Sequence, residues 1–225
     1  MKKLYEEEDI RGIAEAIREK NGTTNTYKVS EMKPAILAIP SGASEPYIEE
    51  TYDAKGNFID VNLVGYTAIK PYAFYECRSL ALTSLPSEIT SIGTYAFYNC
   101  KSLALTSLPS GITRIGDFAF QNCSKLALTS LPSGLTGVGN YTFYGCQKLS
   151  LTSLPSGITS IGGNAFGNCK GLTSITFQGK PNSIASNAFR NCTNLNTINV
   201  PWASGEVADA PWGATNATIN YNYTG

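Results

Sequence analysis

Six cysteines are the residues in this chain whose type and spacing could do chemistry. Each lies 23 residues after the one before it, and their positions are Cys77, Cys100, Cys123, Cys146, Cys169 and Cys192. Thiols in this number can pair as disulfides or bind a metal such as zinc. The constant interval bears on both possibilities, because it decides how the sulfur atoms face each other.

The interval of 23 residues predicts stacked coils in which each cysteine lies beside its equivalent. Adjacent coils are about 4.8 Å apart, like neighbouring strands, whereas the Cβ atoms of a disulfide are about 3.8 Å apart. A straight column also does not converge on the tetrahedral site that zinc needs. We therefore predict buried thiols that act as small apolar side chains, with no metal, no cofactor and no catalytic residue.

The composition excludes several classes of function. The chain has no histidine, which removes Ser-His-Asp and Cys-His catalysis and every zinc site built on imidazole. Lys+Arg and Asp+Glu both number 17, so no excess of positive charge predicts a nucleic-acid partner. No apolar run approaches the roughly 18–20 residues of a membrane span, and the opening MKKLYEEEDIRG predicts no secretory signal peptide in this chain. Walker, GxSxG, HExxH and EF-hand motifs are missing, so we predict that the protein is not an enzyme.

Other residue types repeat at the same interval and predict the content of each coil. LALTSLP predicts a first strand that ends at its proline, and SGITSIG predicts a second strand. DFAFQNC predicts one helical turn with Ala119, Phe120 and Cys123 on its inner face. A single coil cannot cover its own apolar side chains, so the coils must stack. The phenylalanine of each predicted turn lies three residues before the cysteine, at Phe74, Phe97, Phe120, Phe143, Phe166 and Phe189.

The pattern LxxIxxP…ITSIGxxAFxxC resembles the BspA-type leucine-rich repeat of bacterial surface and phage-associated proteins, over residues 57–200. The resemblance implies an α+β repeat: a right-handed leucine-rich-repeat solenoid of about six coils, with short strands and one helical turn per 23-residue coil. It also implies a bacterial protein of the cell surface, or one encoded by a prophage and carried on the virion.

The two ends depart from the repeat. Residues 1–40 predict a helical hairpin, with helices at 4–20 and 30–38, and residues 41–56 predict a linker and first-coil cap. Residues 201–225 predict a C-terminal cap in which Trp202 and Trp212 cover the last coil. Both ends resemble tail-associated structural proteins of phages and prophages of Gram-positive gut bacteria, which implies a phage tail-associated role.

An aromatic stripe is the candidate ligand-binding site. The residues two before and one after each phenylalanine of the predicted turn should face outwards, and neighbouring coils should align them. One interpretation is a stack that stabilises the coils, and the other is a contact surface for a sugar or a protein. The residues are Tyr72, Tyr75, Tyr95, Tyr98, Phe118, Tyr141 and Tyr144.

Two further surfaces have plainer interpretations. We interpret the basic ridge as a solvated edge that discourages sheet aggregation; it consists of Arg78, Lys101, Lys125, Lys148 and Lys170. We interpret the hydroxyl strip as what closely spaced turns require, rather than as a carbohydrate site. It consists of Thr83, Ser84, Thr106, Ser107, Thr129, Ser130, Thr152 and Ser153.

Two functional hypotheses follow. The first is a binding or adhesion module that presents the solenoid surface to a protein or glycan on a cell surface. The second is a structural spacer that assembles with neighbouring virion proteins and has no ligand of its own.

Overall fold

A computed structural model describes residues 47–52 and 58–225 of the chain. These residues contain short β-strands and no α-helix. The strands are β1 Tyr47–Tyr52, β2 Phe58–Val64, β3 Ala68–Ile69, β4 Ser91–Ile92, β5 Arg114–Ile115, β6 Gly137–Val138, β7 Ser153–Leu154, β8 Ser160–Ile161, β9 Ser174–Phe177, β10 Ser183–Ile184, β11 Thr197–Asn199 and β12 Thr218–Asn220. The helical hairpin predicted at residues 1–40 lies outside the described residues.

Strands β1 and β2 form an antiparallel hairpin ahead of the first coil. Tyr47 pairs with Val64 at one end, and the register shifts between Thr51 and Tyr52. Leu63 and the nearby Tyr66 are fully buried, so the hairpin leads directly into the core of the solenoid. We did not predict this hairpin from the sequence.

The isoleucine of each SGITSIG segment forms a parallel ladder along one edge of the solenoid. Strands β3, β4 and β5 form one sheet, and β6, β8 and β10 form another. Paired residues are 23 apart, as in Ile69 with Ile92 and Ile161 with Ile184. The branched side chain points into the core while its neighbour in the strand faces outwards. The described residues thus form a parallel β-solenoid of about seven coils.

The leucine-rich edge forms strands only towards the C-terminus, where β7, β9, β11 and β12 pair in parallel. In the earlier coils the LALTSLP segments have the predicted buried leucines, such as Leu80 and Leu82, but no strand. Proline explains the difference. The Gln178 N–H donates to the Leu154 carbonyl at 3.0 Å, and the equivalent residue one coil earlier, Pro155, has no N–H to donate.

The prediction of one helical turn per coil is wrong, and with it the α+β class. Around Phe97, the residues Tyr95 and Asn99 have φ values of 57° and 58°, which an α-helix cannot contain. The Tyr98 N–H returns to the Tyr95 carbonyl at 3.2 Å, but the Phe97 N–H donates to Ala119 in the next coil at 2.8 Å. Alternate N–H groups therefore bond along the turn and between coils. A helix would keep them all within one segment.

The last coil uses the segment that follows the repeat. Strand β12 pairs with β11, and Ile219 lies opposite Ile198. The Trp212 carbonyl accepts the N–H of Phe189 at 2.9 Å, as an alanine carbonyl does in earlier coils. Trp202 and Trp212 are buried with their rings 6.4 Å apart. The C-terminal segment therefore covers the core by adding one irregular coil to the stack.

A column of phenylalanine rings runs through the core. Each ring stacks nearly parallel on the next, with centroids 5.1–5.6 Å apart and interplanar angles of 4–8°. These separations follow the spacing of the coils, about 4.8 Å, because each ring belongs to one coil. The column is Phe74, Phe97, Phe120, Phe143, Phe166 and Phe189.

Two glycines allow a test of how tightly the coils approach. A Cβ atom at Gly116 would lie 2.5 Å from the Thr94 backbone nitrogen, whereas one at Gly111 would lie 3.9 Å from its nearest neighbour. We expect Gly116→Ala to lower the free energy of unfolding by about 1–3 kcal/mol, as overpacking does. Gly111→Ala should leave it within about 1 kcal/mol of the parent. Urea unfolding of both variants measures the difference, and equal stability would contradict the tight coil contact.

Candidate functional site

The predicted aromatic stripe is present as an outer aromatic ladder. Its centroids are 5.0, 4.6 and 5.1 Å apart, and its rings lie within 16° of parallel. Tyr72, at the N-terminal end, is 48% exposed, and the others are half-buried. The outer aromatic ladder consists of Tyr72, Tyr95, Phe118 and Tyr141.

A second, shorter aromatic column lies beside this ladder. Tyr75 and Tyr98 stack at 4.8 Å, and Tyr98 meets Tyr95 of the ladder edge-on at 5.6 Å. Gln121 interrupts the column, and its Oε1 atom is buried with no hydrogen-bond partner. Tyr144 follows one coil later and contacts the ladder through Tyr141. The structure thus brings all seven predicted residues to one edge of the solenoid.

The aromatic surface ends at Tyr144 for a steric reason. A Cβ atom at Gly167 would lie 2.8 Å from Cδ2 of Tyr144, so the tyrosine ring lies against the glycine backbone. The Asn168 side chain donates to the Tyr144 hydroxyl at 2.6 Å. Asn164, which follows Tyr141 in its column, is also buried. Glycine and asparagine replace the rings from this coil onwards.

The stacking determines which part of each ring a partner can reach. Rings 4.6–5.1 Å apart cover each other's faces, so the inner members of the ladder expose edges and hydroxyl groups. The ladder residues have φ values of 54–62°, a conformation that costs roughly 1–2 kcal/mol for a residue with a side chain. The coil-to-coil hydrogen bonds and the ring stacking hold the backbone in this strained form.

An amide ladder follows the aromatic residues along the same edge. The Asn99 side chain donates to Glu76 at 3.1 Å, and Asn122 donates to Asn99 at 3.0 Å. Gly145 has the next position, and its Cβ would lie 2.5 Å from the Asn122 oxygen. Asn99 and Asn122 have positive φ values, which asparagine tolerates better than most residues. Sequence reasoning missed this ladder, although the repeated asparagine before cysteine indicates it.

Five of the six thiols are buried, as predicted, and Cys77 is half-buried. The structure adds a role that we did not predict. Cys123 donates from its thiol to the Phe97 carbonyl at 3.0 Å, and Cys192 donates to Phe166 at 2.9 Å, in each case in the preceding coil. Burial raises the pKa of the Cys192 thiol to about 11 and raises that of Cys123 further. The buried thiols therefore stay protonated and act as hydrogen-bond donors.

The two other predicted surfaces are exposed. The threonines of the hydroxyl strip, such as Thr106 and Thr129, face solvent, and so do the five residues of the basic ridge. Arg78 lies 3.6 Å from Glu76. In the part of the chain that the structure describes, no three His, Cys, Asp or Glu residues group as metal ligands do. The same residues include no helix long and apolar enough to cross a membrane.

Comparison of the sequence with protein families gives a match over residues 67–196, more than half of the chain. The matching model describes a BspA type leucine rich repeat region, in six copies. The chain belongs to this family. The match begins just before β3 and ends just before β11, so it covers the regular coils and leaves both ends outside.

Solved structures of leucine-rich repeat proteins resemble the chain at low identity. A leucine rich cell surface protein from Faecalibacterium prausnitzii is 23% identical, with a TM-score of 0.47, 72% of this chain covered and 56% of that one. The Treponema pallidum (T. pallidum) leucine rich repeat protein is 23% identical, with a TM-score of 0.41 and coverage of 79% and 80%. The pneumococcal vaccine antigen PcpA is 19% identical, with a TM-score of 0.42 and coverage of 69% and 40%.

The chain spans about half the length of the first two of these structures, 56% of one and 46% of a Bacteroides ovatus leucine-rich repeat protein. No curated protein sequence gives a significant match.

The buried thiols predict that alkaline pH destabilises the fold. An unfolded thiol ionises near pH 8.5, but the folded thiols have raised pKa values and keep their protons. The folded state then binds more protons, so the free energy of unfolding should fall as pH rises above about 8.5. Each thiol should contribute up to about 1.4 kcal/mol per pH unit.

Urea unfolding between about pH 8 and pH 9.5, below the range where tyrosine ionises, measures this effect. The Cys123→Ala variant should be less stable than the parent at neutral pH and should lose one thiol's share of the slope. A stability that stays constant over this interval would contradict the protonated, hydrogen-bonded state of the column.

Proposed function

We propose that the chain is a non-enzymatic binding module that presents the aromatic edge of its solenoid to a protein or glycan, at a bacterial cell surface or on a virion. The observation that carries the proposal is the outer aromatic ladder, in which Tyr72, Tyr95, Phe118 and Tyr141 stack in one outward-facing column. Membership of a repeat family with an extended surface supports it.

Rigidity favours this edge as the contact surface. Tyrosine provides a large contact area with only two side-chain torsions, and binding usually costs about 0.5–1.5 kcal/mol for each side chain it immobilises. The ladder rings are already held by their neighbours, as in the 4.6 Å stack of Tyr95 on Phe118. A partner would therefore meet a surface whose side chains lose little further freedom.

The ladder also stabilises the fold, which is the competing interpretation. Aromatic pairs contribute about 0.5–1.5 kcal/mol beyond the area they bury. The core phenylalanine column already provides stacking in every coil, however, and coils beyond Tyr141 pack without outer rings. A purely structural ladder is therefore not needed by the coil as such, and this difference between coils favours a contact role.

A second candidate is a rigid spacer in a larger particle. The observation that favours it is the pair of hydrogen-bonded edges, one formed by strands and one by turns, which join successive coils. The resemblance of both ends to phage tail-associated proteins stays a prediction. Residues 1–40 lie outside the described residues, and the family match ends at residue 196.

Binding to intact cells tests the proposal. Fluorescent full-length chain would be incubated with epithelial cells and with Gram-positive bacteria and measured by flow cytometry, and a glycan array would be probed in parallel. The ladder variant Tyr72→Ser, Tyr95→Ser, Phe118→Ser and Tyr141→Ser should lose at least about tenfold in bound signal, since clustered aromatic contacts carry much of the energy of an interface.

The matched control replaces four exposed threonines of the hydroxyl strip by alanine, at Thr83, Thr106, Thr129 and Thr152. Circular dichroism would confirm that both variants keep the parent's spectrum. Binding that the ladder variant retains and the control loses would place the contact on the other edge. If the parent binds no cell and no glycan, the spacer is favoured.

A further inference from the structure

A row of lysines follows the amide ladder, and neither interpretation above uses it. Each lysine lies one or two residues after the cysteine of its coil, in four successive coils, and each is exposed. The row therefore repeats at the spacing of the coils, about 4.8 Å. We call it the lysine row, and it consists of Lys101, Lys125, Lys148 and Lys170.

The lysine row has no counter-charge on its own surface. The segments that carry it, residues 99–102, 122–125, 145–148 and 168–171, contain no aspartate or glutamate. The nearest carboxylate along this edge is Glu76, which already pairs with Arg78 and accepts a hydrogen bond from Asn99. The other ion pair among residues 65–225 joins Lys180 to Glu206. The charges of the row are therefore available to a partner.

The backbone beneath the row is fixed from the next coil. The Ser124 hydroxyl donates to the Lys101 carbonyl at 3.2 Å, and the Asn194 side chain donates to the Lys170 carbonyl at 2.7 Å. Gln147 donates to the Asn168 carbonyl at 3.2 Å. These bonds hold the starting point of each lysine side chain, so the charges keep a regular order along the solenoid.

The polar character of this surface favours one kind of partner. The exposed neighbours of the lysines are serine, asparagine, glutamine and glycine, and no large apolar side chain lies between them. Interfaces with folded proteins rely on buried aromatic or aliphatic anchors, which this strip lacks. A straight row of evenly spaced cations instead matches an extended polymer whose negative charges repeat along its length, and a polar sugar backbone suits the polar strip.

We propose that the lysine row binds a linear anionic glycopolymer, one that carries sulfate, carboxylate or phosphodiester groups. This inference rests on the proposed binding function and names a partner class for the same edge. Each lysine neutralises one polymer charge and releases a counterion, so binding weakens as salt rises. The sugar units lie across the coils, and the lysine row fixes their direction.

Dextran sulfate and uncharged dextran provide a matched pair of probes. We expect the full chain to bind dextran sulfate at low salt and not dextran, by fluorescence anisotropy of labelled polymer. The variant K125Q/K148Q should bind at least about tenfold more weakly, and its slope of log affinity against log salt should fall by roughly 0.7–0.9 for each lysine removed. The charge-matched control K70Q/R114Q lies outside the row and should change the affinity less than threefold.

Further arms separate the sources of the charge and the neighbouring site. Hyaluronan and a wall teichoic acid carry carboxylates and phosphodiesters, and the one that binds most tightly at physiological salt identifies the group. Equal losses in K125Q/K148Q and in the control would overturn the lysine row as a site, and so would tighter binding to oligo(dT) than to every glycopolymer. The ladder variant with its four serines should keep its affinity for dextran sulfate, so failure of the aromatic proposal and failure of this one give different results.

Discussion

Hydrogen bonds between equivalent residues of neighbouring coils are the interaction on which the structure depends. On the strand edge, a later coil donates to the one before it, as Gly116 does to Ile92 at 2.8 Å. On the turn edge the direction reverses, and Phe97 donates to Ala119 of the next coil at 2.8 Å. These bonds keep the coils in register, so each side chain lies against its equivalent 23 residues away. Columns of phenylalanine, cysteine and asparagine follow from that constraint.

The same constraint explains features that would be unfavourable alone. Aromatic residues such as Tyr95 and Phe118 take left-handed backbone conformations because their N–H groups then reach the next coil. Buried cysteine thiols donate to phenylalanine carbonyls that the coil already uses. Glycine is needed where two coils meet closely, as at Gly116 against Thr94. Each of these local costs is offset by bonds that only the stack provides.

The surfaces proposed for binding differ from the core in how strongly stacking determines them. Inward positions repeat because every coil must present the same shape to its neighbours. Outward positions can change, and they do: rings occupy the turn edge from Tyr72 to Tyr144, while asparagine and glycine replace them at Asn164 and Gly167. The lysine row spans coils on both sides of that change. Variation on the outer edge is therefore where this chain departs from its own repeat.

The sequence alone determined the 23-residue interval, the stacking of coils, the buried leucine, phenylalanine and cysteine columns and the placement of seven aromatic residues on one edge. These could be predicted because periodicity reports which residues are equivalent. The helical turn was a wrong prediction, because the apolar spacing of Ala119, Phe120 and Cys123 suits one helical face as well as it suits this turn. Only the tertiary structure decided the turn conformation, since alternate N–H groups find their acceptors in another coil. It also decided which LALTSLP segments form strands and which lysines lack a carboxylate, because both depend on residues a full coil away.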